Sequence, residues 1–341
     1  MKHLIIMNRF GLYIHVPFCR TKCTYCGFYR VTDLSYREKY IDSVVKELGE
    51  RAELFKNKRL KSIYFGGGTP SVLHSSELKR IIGEVEKYWI VDEVEEFTVE
   101  VNPDDVTEDY LRELKEIGVN RISMGVQSFD DGILKWMNRR HTSAGVLEAF
   151  RLLRDAGFGN ISIDLIFGLS QLGEEKWIET IRKALDLCPE HISAYQLSIE
   201  EGSALAGMVR DGRYTEAPEE QCRSQYDILC RELGKAEYNH YEISNFARPG
   251  FEAVHNSAYW KRLPYVGLGP GAHSLRLVPE QVRSWNGQTL DGWTRSGEIL
   301  TDKEIREERI MLGLRTKEGV DGMSIPEDKW FVSDDIISNL I

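Results

Sequence analysis

The chain has 341 residues, 42% of them hydrophobic and 29% charged, with a formal net charge of −10. That is enough for one large domain with a smaller companion or for two of medium size, and the negative balance argues against nucleic acid as a partner. The opening MKHLIIMNRF is too short for a signal peptide or a membrane span, and six cysteines are too few for a disulfide scaffold. A cytoplasmic protein with at most peripheral membrane contact is expected.

In chain order, the first apolar run is GLYIHVPF at 11–18, rich in the β-branched and aromatic residues of a buried strand. Directly after it come Cys19, Cys23 and Cys26, spaced C-x3-C-x2-C, with Phe28 where a further thiol could have followed. Thiolates suit zinc and iron–sulfur clusters. A structural zinc site takes four protein ligands, and nothing of the usual spacing follows nearby, which leaves a distant histidine as the alternative. Three thiolates on a 4Fe–4S cluster leave one iron with an open position, which is useful only if something else binds there.

Five further strands are expected at 61–67, 96–102, 121–127, 161–167 and 191–198, separated by amphipathic helices at 35–55, 75–90, 107–117, 143–156 and 174–187. Strands alternating with helices imply right-handed βαβ units and a parallel sheet. Six repeats fall short of the eight that close a barrel. The predicted fold is therefore α/β, an incomplete (β/α)6 TIM-like barrel, with an open doubly wound sheet as the alternative. After a helix at 216–235 the alternation stops, so a soft boundary is placed at 235, with a barrel at 1–235 and a smaller α+β domain at 236–341. That second part holds the turn-rich HYEISNFARPGFEAVHNSAYW, the Gly-rich YVGLGPGAHS and a charged helix in DKEIREERIMLGLRT. The scattered Cys188, Cys222 and Cys230 read as small packing residues.

Ligands of a parallel barrel bind where its strands end. Read in order, those ends carry the three cysteines, then Gly66, Gly67 and Gly68 in FGGGTPS, Glu100 in VEVNPDD, Gln127 in GVQSF and Asp164 in SIDLIFG. Arg139 in MNRRHT follows the fourth strand. The glycines allow a backbone to approach a ligand, or simply make a tight turn. A polar residue inside an apolar strand needs a partner, and for any one of them a hydrogen bond within the barrel would do. All of them lying at C-terminal strand ends favours a ligand.

These runs, with YFGGGTPSVL, NRISMGVQSFDD, DLIFGL, ISAYQLSIEEGS and GLGPGAHS, resemble the radical S-adenosylmethionine superfamily, and cover most of 11–320. The branch they resemble contains the oxygen-independent coproporphyrinogen III oxidases and the HemW-type haem chaperones, with the chaperones the nearer group. The resemblance implies a 4Fe–4S cluster on Cys19, Cys23 and Cys26, whose open iron holds the amino and carboxylate groups of S-adenosylmethionine. It also implies an electron donor, whose electron lets the cluster cleave the sulfonium bond. Tyr13, Gly67, Gly68, Thr69 and Glu100 would surround that cofactor, with Gln127, Arg139 and Asp164 nearby.

Two functions follow from the resemblance. An oxidase would decarboxylate the propionates of coproporphyrinogen III, whereas a chaperone would carry haem to acceptor proteins. Phe28 replaces the oxidases' additional cysteine, and the first strand is reached by about Gly11, where oxidases have a longer leading segment. HNSAYW at 255–260 fits the H-N-x-x-Y-W motif proposed for haem in the chaperones. The chaperone is the expected function, with the oxidase as the alternative. His255 would then be the axial haem ligand and Tyr259 and Trp260 would cover a porphyrin face. The alternative for His255 is a turn histidine bonded to backbone. His15, His141 and His273 are read as structural or as supporting the residues that touch the ligand. GLSQLGEEKW at 168–177 departs from the family's Gly-Leu-Pro-Gly-Gln, and the end at DDIISNLI is shorter than the usual terminal helical region. An altered surface for cargo or partner is the expected consequence.

Overall fold

The computed structural model describes residues 8–56, 58–290 and 292–341, so the apolar run at 1–7 lies outside the described residues. Six parallel strands pair in sequence order: β1 (Arg9–Val16), β2 (Arg59–Gly67), β3 (Glu96–Val101), β4 (Arg121–Gln127), β5 (Ile161–Phe167) and β6 (His191–Gln196). The helices between them are α1 (Arg37–Arg51), α2 (Ser75–Tyr88), α3 (Glu108–Glu116), α4 (Asp131–Trp136), α5 (Ser143–Asp155) and α6 (Glu174–Asp186). A doubly wound sheet needs a point where strand order reverses, and β1 to β6 have none. Nor does β1 pair with β6, so the barrel stays open.

Side-chain alternation decides which face of each strand turns inward. Leu12, Ile14 and Val16 on β1, Ile63 and Phe65 on β2, Phe97 and Val99 on β3, and Ile122, Met124 and Val126 on β4 are all buried in one apolar core. The helices meet them with stripes at helical spacing, such as Tyr40, Ile41, Val44 and Leu48 on α1 and Leu78, Ile81, Ile82 and Val85 on α2. The intervening positions are polar: Tyr13 and His15, Ser62 and Tyr64, Arg121, Ser123 and Gln127. The concave face is therefore hydrophilic, unlike the aliphatic layers that fill a closed barrel.

After β6 come α7 (Ala204–Arg210), α8 (Glu219–Lys235), β7 (Asn239–Glu242), β8 (Asn245–Ala247) and α9 (Val254–Trp260). Then follow β9 (Tyr265–Leu268), β10 (His273–Arg276), β11 (Val282–Asn286), β12 (Arg295–Ile299), α10 (Asp302–Gly313) and α11 (Ser333–Ser338). β8 joins the free edge of β6 antiparallel, while β9 joins the free edge of β1 parallel and leads into a meander through β12. The expected boundary near 235 thus falls between α8 and β7, and the residues beyond it extend both edges of a single twelve-stranded sheet.

One buried ion pair ties that extension to the barrel. Glu47 on α1 accepts from Gly269 N at 3.0 Å, Trp293 Nε1 at 2.8 Å and Asn286 Nδ2 at 2.8 Å, and lies 3.3 Å from Arg51 Nε. Arg51 in turn donates to the Gly267 carbonyl at 3.1 Å and to Ser274 Oγ at 2.5 Å. Burial pushes the Arg51 guanidinium down to about 10, against the pull of Glu47. Glu47→Ala should therefore strand a buried cation and cost about 3–5 kcal/mol, read as a lower denaturant midpoint. The exposed neighbour change Glu50→Ala should stay within about 0.5 kcal/mol.

Candidate functional site

Cys19, Cys23 and Cys26 lie in the loop from β1 to α1 as free thiols, Cys19 buried and the other two part-exposed. The loop is closed at its base by Val31 N to the Pro17 carbonyl at 2.7 Å and Cys19 N to the Val31 carbonyl at 3.0 Å. Its far side is held by the end of α4, where Thr24 Oγ1 donates to the Trp136 carbonyl at 2.8 Å and Asn138 Nδ2 to the Lys22 carbonyl at 2.7 Å. Two donors reach the sulfurs: Thr69 Oγ1 to Cys19 Sγ at 3.4 Å and Arg139 Nη1 to Cys23 Sγ at 3.5 Å. Burial pushes the Cys19 thiol up to about 11 against the Thr69 hydrogen bond, and raises Cys26 as well. Such thiols become thiolates only beside a strong positive charge, which a metal centre supplies. Among the described residues no three His, Cys, Asp or Glu side chains converge on a single ion. Three soft ligands on one wall, each free to bind its own iron, fit a cluster better than a zinc knot.

The cysteines open onto a cavity of about 1040 Å³, which Tyr13, Gly67, Gly68, Thr69, Glu100, Gln127, Arg139 and Asp164 also line. Glycine is required at two of these positions. Gly67 has φ +109°, and a Cβ there would stand 2.5 Å from the His15 ring; at Gly68 it would stand 2.7 Å from the Phe18 carbonyl. The strand end thus sits directly on the cysteine loop. Arg139 reaches inward from beyond α4, with Nη2 bonded to the Gly125 carbonyl at 2.8 Å and Asn102 Oδ1 at 2.5 Å. Gln127 ends β4 after a register shift and sits at φ 67°, a left-handed conformation that ordinary residues hold only under constraint.

Glu100 accepts from Tyr64 Oη at 2.8 Å and Gly67 N at 3.1 Å. Burial pushes its carboxyl up to about 7, with those two bonds opposing and Asp164 adding to the rise. Burial also pushes Asp164 up to about 6, against hydrogen bonds from Ser193 and Ser123 and the charge of Arg121. Two carboxyls held near neutrality on one cavity wall make a receptor for a cationic group, whose arrival favours their ionised forms. The sequence reading missed Tyr64, Arg121, Ser123, Ser193 and Tyr195, which line the same cavity. Each sits at an alternate position along its strand, so the period-two pattern in SIYFGG, RISMGVQ and HISAYQ was the available signal.

HNSAYW forms the helix α9 rather than a turn. Its first amides donate to the Glu96 carboxylate, Val254 N at 2.6 Å and His255 N at 3.2 Å. This seats His255 below the cavity at 1% exposure, stacked on Tyr64 with centroids 5.0 Å apart. Its Nδ1 meets Ser62 Oγ at 2.9 Å and its Nε2 meets Tyr259 Oη at 2.8 Å. Burial pushes the imidazole down to about 3, so it is neutral with both nitrogens engaged. The expected haem ligand is thus not brought to the cavity wall; Asn256 and Tyr259 line it, and neither His255 nor Trp260 does. His15 bonds Tyr13 Oη at 3.0 Å and His141 the Val126 carbonyl at 3.0 Å, whereas His273 opens onto the cavity. Phe28 stands at the rim, 68% exposed.

The Radical SAM superfamily model matches residues 13–184 of the chain. Heme chaperone HemW of Lactococcus lactis is 36% identical over 90% of this chain and 82% of its own length, and heme chaperone HemW of Bacillus subtilis is 35% identical over 90% and 84%. Among solved structures, coproporphyrinogen III oxidase (HemN) from Escherichia coli superposes with a TM-score of 0.79 at 21% identity, covering 93% of this chain and 79% of that one. That likeness is one of fold.

The raised Glu100 carboxyl carries a pH signature. An amine held on the open iron donates its N–H groups more strongly to the ionised carboxylate than to the protonated acid, so affinity for S-adenosylmethionine should climb from about pH 5.5 to about pH 7.5. Titration calorimetry on anaerobically reconstituted protein should show that climb in the wild type. Glu100→Gln should bind more weakly and lose the climb while retaining its iron; an unchanged profile would return Glu100 to a structural role.

Proposed function

We propose, from the premise that this chain belongs to the radical S-adenosylmethionine superfamily and to the group of its HemW relatives, that it is a haem chaperone. It holds a 4Fe–4S cluster and S-adenosylmethionine at the strand ends, takes haem into the same cavity and hands it to acceptor proteins in the cytoplasm. The observation that carries this reading is the two-sided cavity. One wall is the polar set from Tyr13 to Asp164, and the other, from α9 to α10, sets the apolar Leu263, Tyr265, Leu275 and Leu312 among Arg262, His273, Arg283 and Glu308. A flat apolar macrocycle suits the second wall as a charged amino acid suits the first.

Cys19, Cys23 and Cys26 bind three irons in this reading, and Thr69 and Arg139 stabilise two of the thiolates by charge-assisted hydrogen bonds. When bound, the cluster supplies an open iron and an electron from an external donor. Glu100 takes the amino group of S-adenosylmethionine, and Gln127 and Asp164, on neighbouring strands, take its other polar groups. Phe28 puts an apolar ring at the rim where the oxidases have a thiol. The segment 236–341 is the cargo-associated part. Among the described residues no helix is long and apolar enough to cross a membrane.

Parallel assays on reconstituted protein test this. Haem should bind one per chain, and coproporphyrinogen III should yield no protoporphyrinogen IX. Cys23→Ala should drop below the about four irons per chain of the intact cluster and lose its response to S-adenosylmethionine, yet still bind haem. Steady protoporphyrinogen IX formation by the wild type would reverse the reading in favour of the oxidase.

A further inference from the structure

The apolar wall carries two groups that nothing above employs. His273 on β10 is exposed to the cavity, and among the described residues it is the only histidine with no hydrogen bond to either ring nitrogen. Its ring is steadied by Trp285, its register partner on β11, with planes 26° apart and centroids at 6.2 Å. An imidazole with free nitrogens and a fixed ring is a metal ligand in waiting.

The second group is Arg262, just past α9, 9% exposed and in the left-handed region at φ 54°. Its Nε donates to Glu308 Oε2 at 2.5 Å and its Nη1 to Gln281 Oε1. Its Nη2 is buried without a partner, although the residue lines the cavity. A buried guanidinium N–H left unpaired is costly, and an anionic oxygen arriving through the cavity would relieve it. Glu308 also binds Arg283 Nη2 at 2.6 Å, and Arg283 lies two residues from Trp285 on the same face of β11. His273 and Arg262 thus belong to one wall, on which two guanidiniums share the Glu308 carboxylate and Arg283 reaches a further one, Glu298, at 3.5 Å.

A free imidazole, an unfilled guanidinium donor and an apolar surface between them complement the iron, a propionate and the ring of haem. We propose that His273 is the axial ligand to the haem iron and that Arg262 Nη2 receives a haem propionate, an inference that rests on the haem-binding reading above. His255 then acts as a positioning residue, holding Tyr259 and α9 behind this wall rather than touching iron.

The test is a haem titration of the full, cluster-loaded chain, read by its Soret spectrum and affinity, with haem dimethyl ester as a second probe. His273→Ala changes an exposed side chain, so melting temperature and S-adenosylmethionine binding should be unchanged, while the Soret band shifts and affinity falls about tenfold or more, the scale of one lost charge-assisted bond or greater. The wild type should bind the dimethyl ester about tenfold more weakly than haem, and Arg262→Ala should erase that difference. A wild type that binds no haem overturns the haem-binding reading itself. A wild type that binds haem, with His273→Ala identical in spectrum and affinity, overturns only the assignment to His273. Loss of the spectrum in a folded His255→Ala variant but not in His273→Ala would move the ligand to His255.

Discussion

The organising constraint is that the residues alternating with the apolar stripe on six parallel strands are largely polar and face the concave side, away from α1 to α6. Polar groups taken out of water must find partners, and the concave face meets that demand in two ways. Toward the N-terminal ends of the strands the partners are internal: His191 bonds Ser162 Oγ at 2.8 Å and Tyr241 Oη at 2.7 Å, and His255 is satisfied by Ser62 and Tyr259 in the same manner. Toward the C-terminal ends the internal partners no longer offset the cost of burial. Glu100 and Asp164 are left with carboxyls raised toward neutrality, and His15 Nε2 is buried without a bond. One pattern in the sequence therefore yields a rigid polar floor and, a few residues further on, a receptive site.

Assembly of that site depends on contacts across loops. Arg139 joins the cysteine loop to β3 and β4 through Cys23 Sγ, Asn102 and the Gly125 carbonyl. The glycine turn at the end of β2 lies directly against His15 and Phe18, so cluster wall and cofactor wall are packed on each other. The Glu47–Arg51 pair performs a similar service for the apolar wall by locking Gly267, Gly269, Ser274 and Asn286 to α1. The extension at the β1 edge gives the cavity its second wall, through residues such as Tyr265, His273 and Leu275.

Much of this was legible in the residues. The six barrel strands and their helices announce themselves because apolar periodicity is strong where an element is covered on one face, and the boundaries at 121–127 and 161–167 coincide with β4 and β5. The cysteine spacing and the strand ends led to nine residues that do line one cavity, and the family resemblance added Tyr13 and Thr69 to them. What was hidden depended on distant pairing. β7 to β12 are three to five residues long, and β12 is exposed throughout, so no local pattern marks them. The seven residues of α9 follow Pro249 and Gly250 and read as a turn; the helix is fixed by Glu96, far away in sequence. The surroundings of two histidines were hidden for the same reason. A motif identifies His255 but does not reveal that its ring is buried with both nitrogens engaged, nor that His273, unremarkable in YVGLGPGAHS, is the one left open.

The central claim is that cluster, S-adenosylmethionine and haem share one cavity with two unlike walls. The most direct measurement is an anaerobic crystal structure of the reconstituted protein soaked with both S-adenosylmethionine and haem. The account predicts S-adenosylmethionine between the cysteine loop and Glu100, and haem against the wall formed by β9, β10 and α10. Haem bound outside the cavity, with that apolar wall empty, would contradict it.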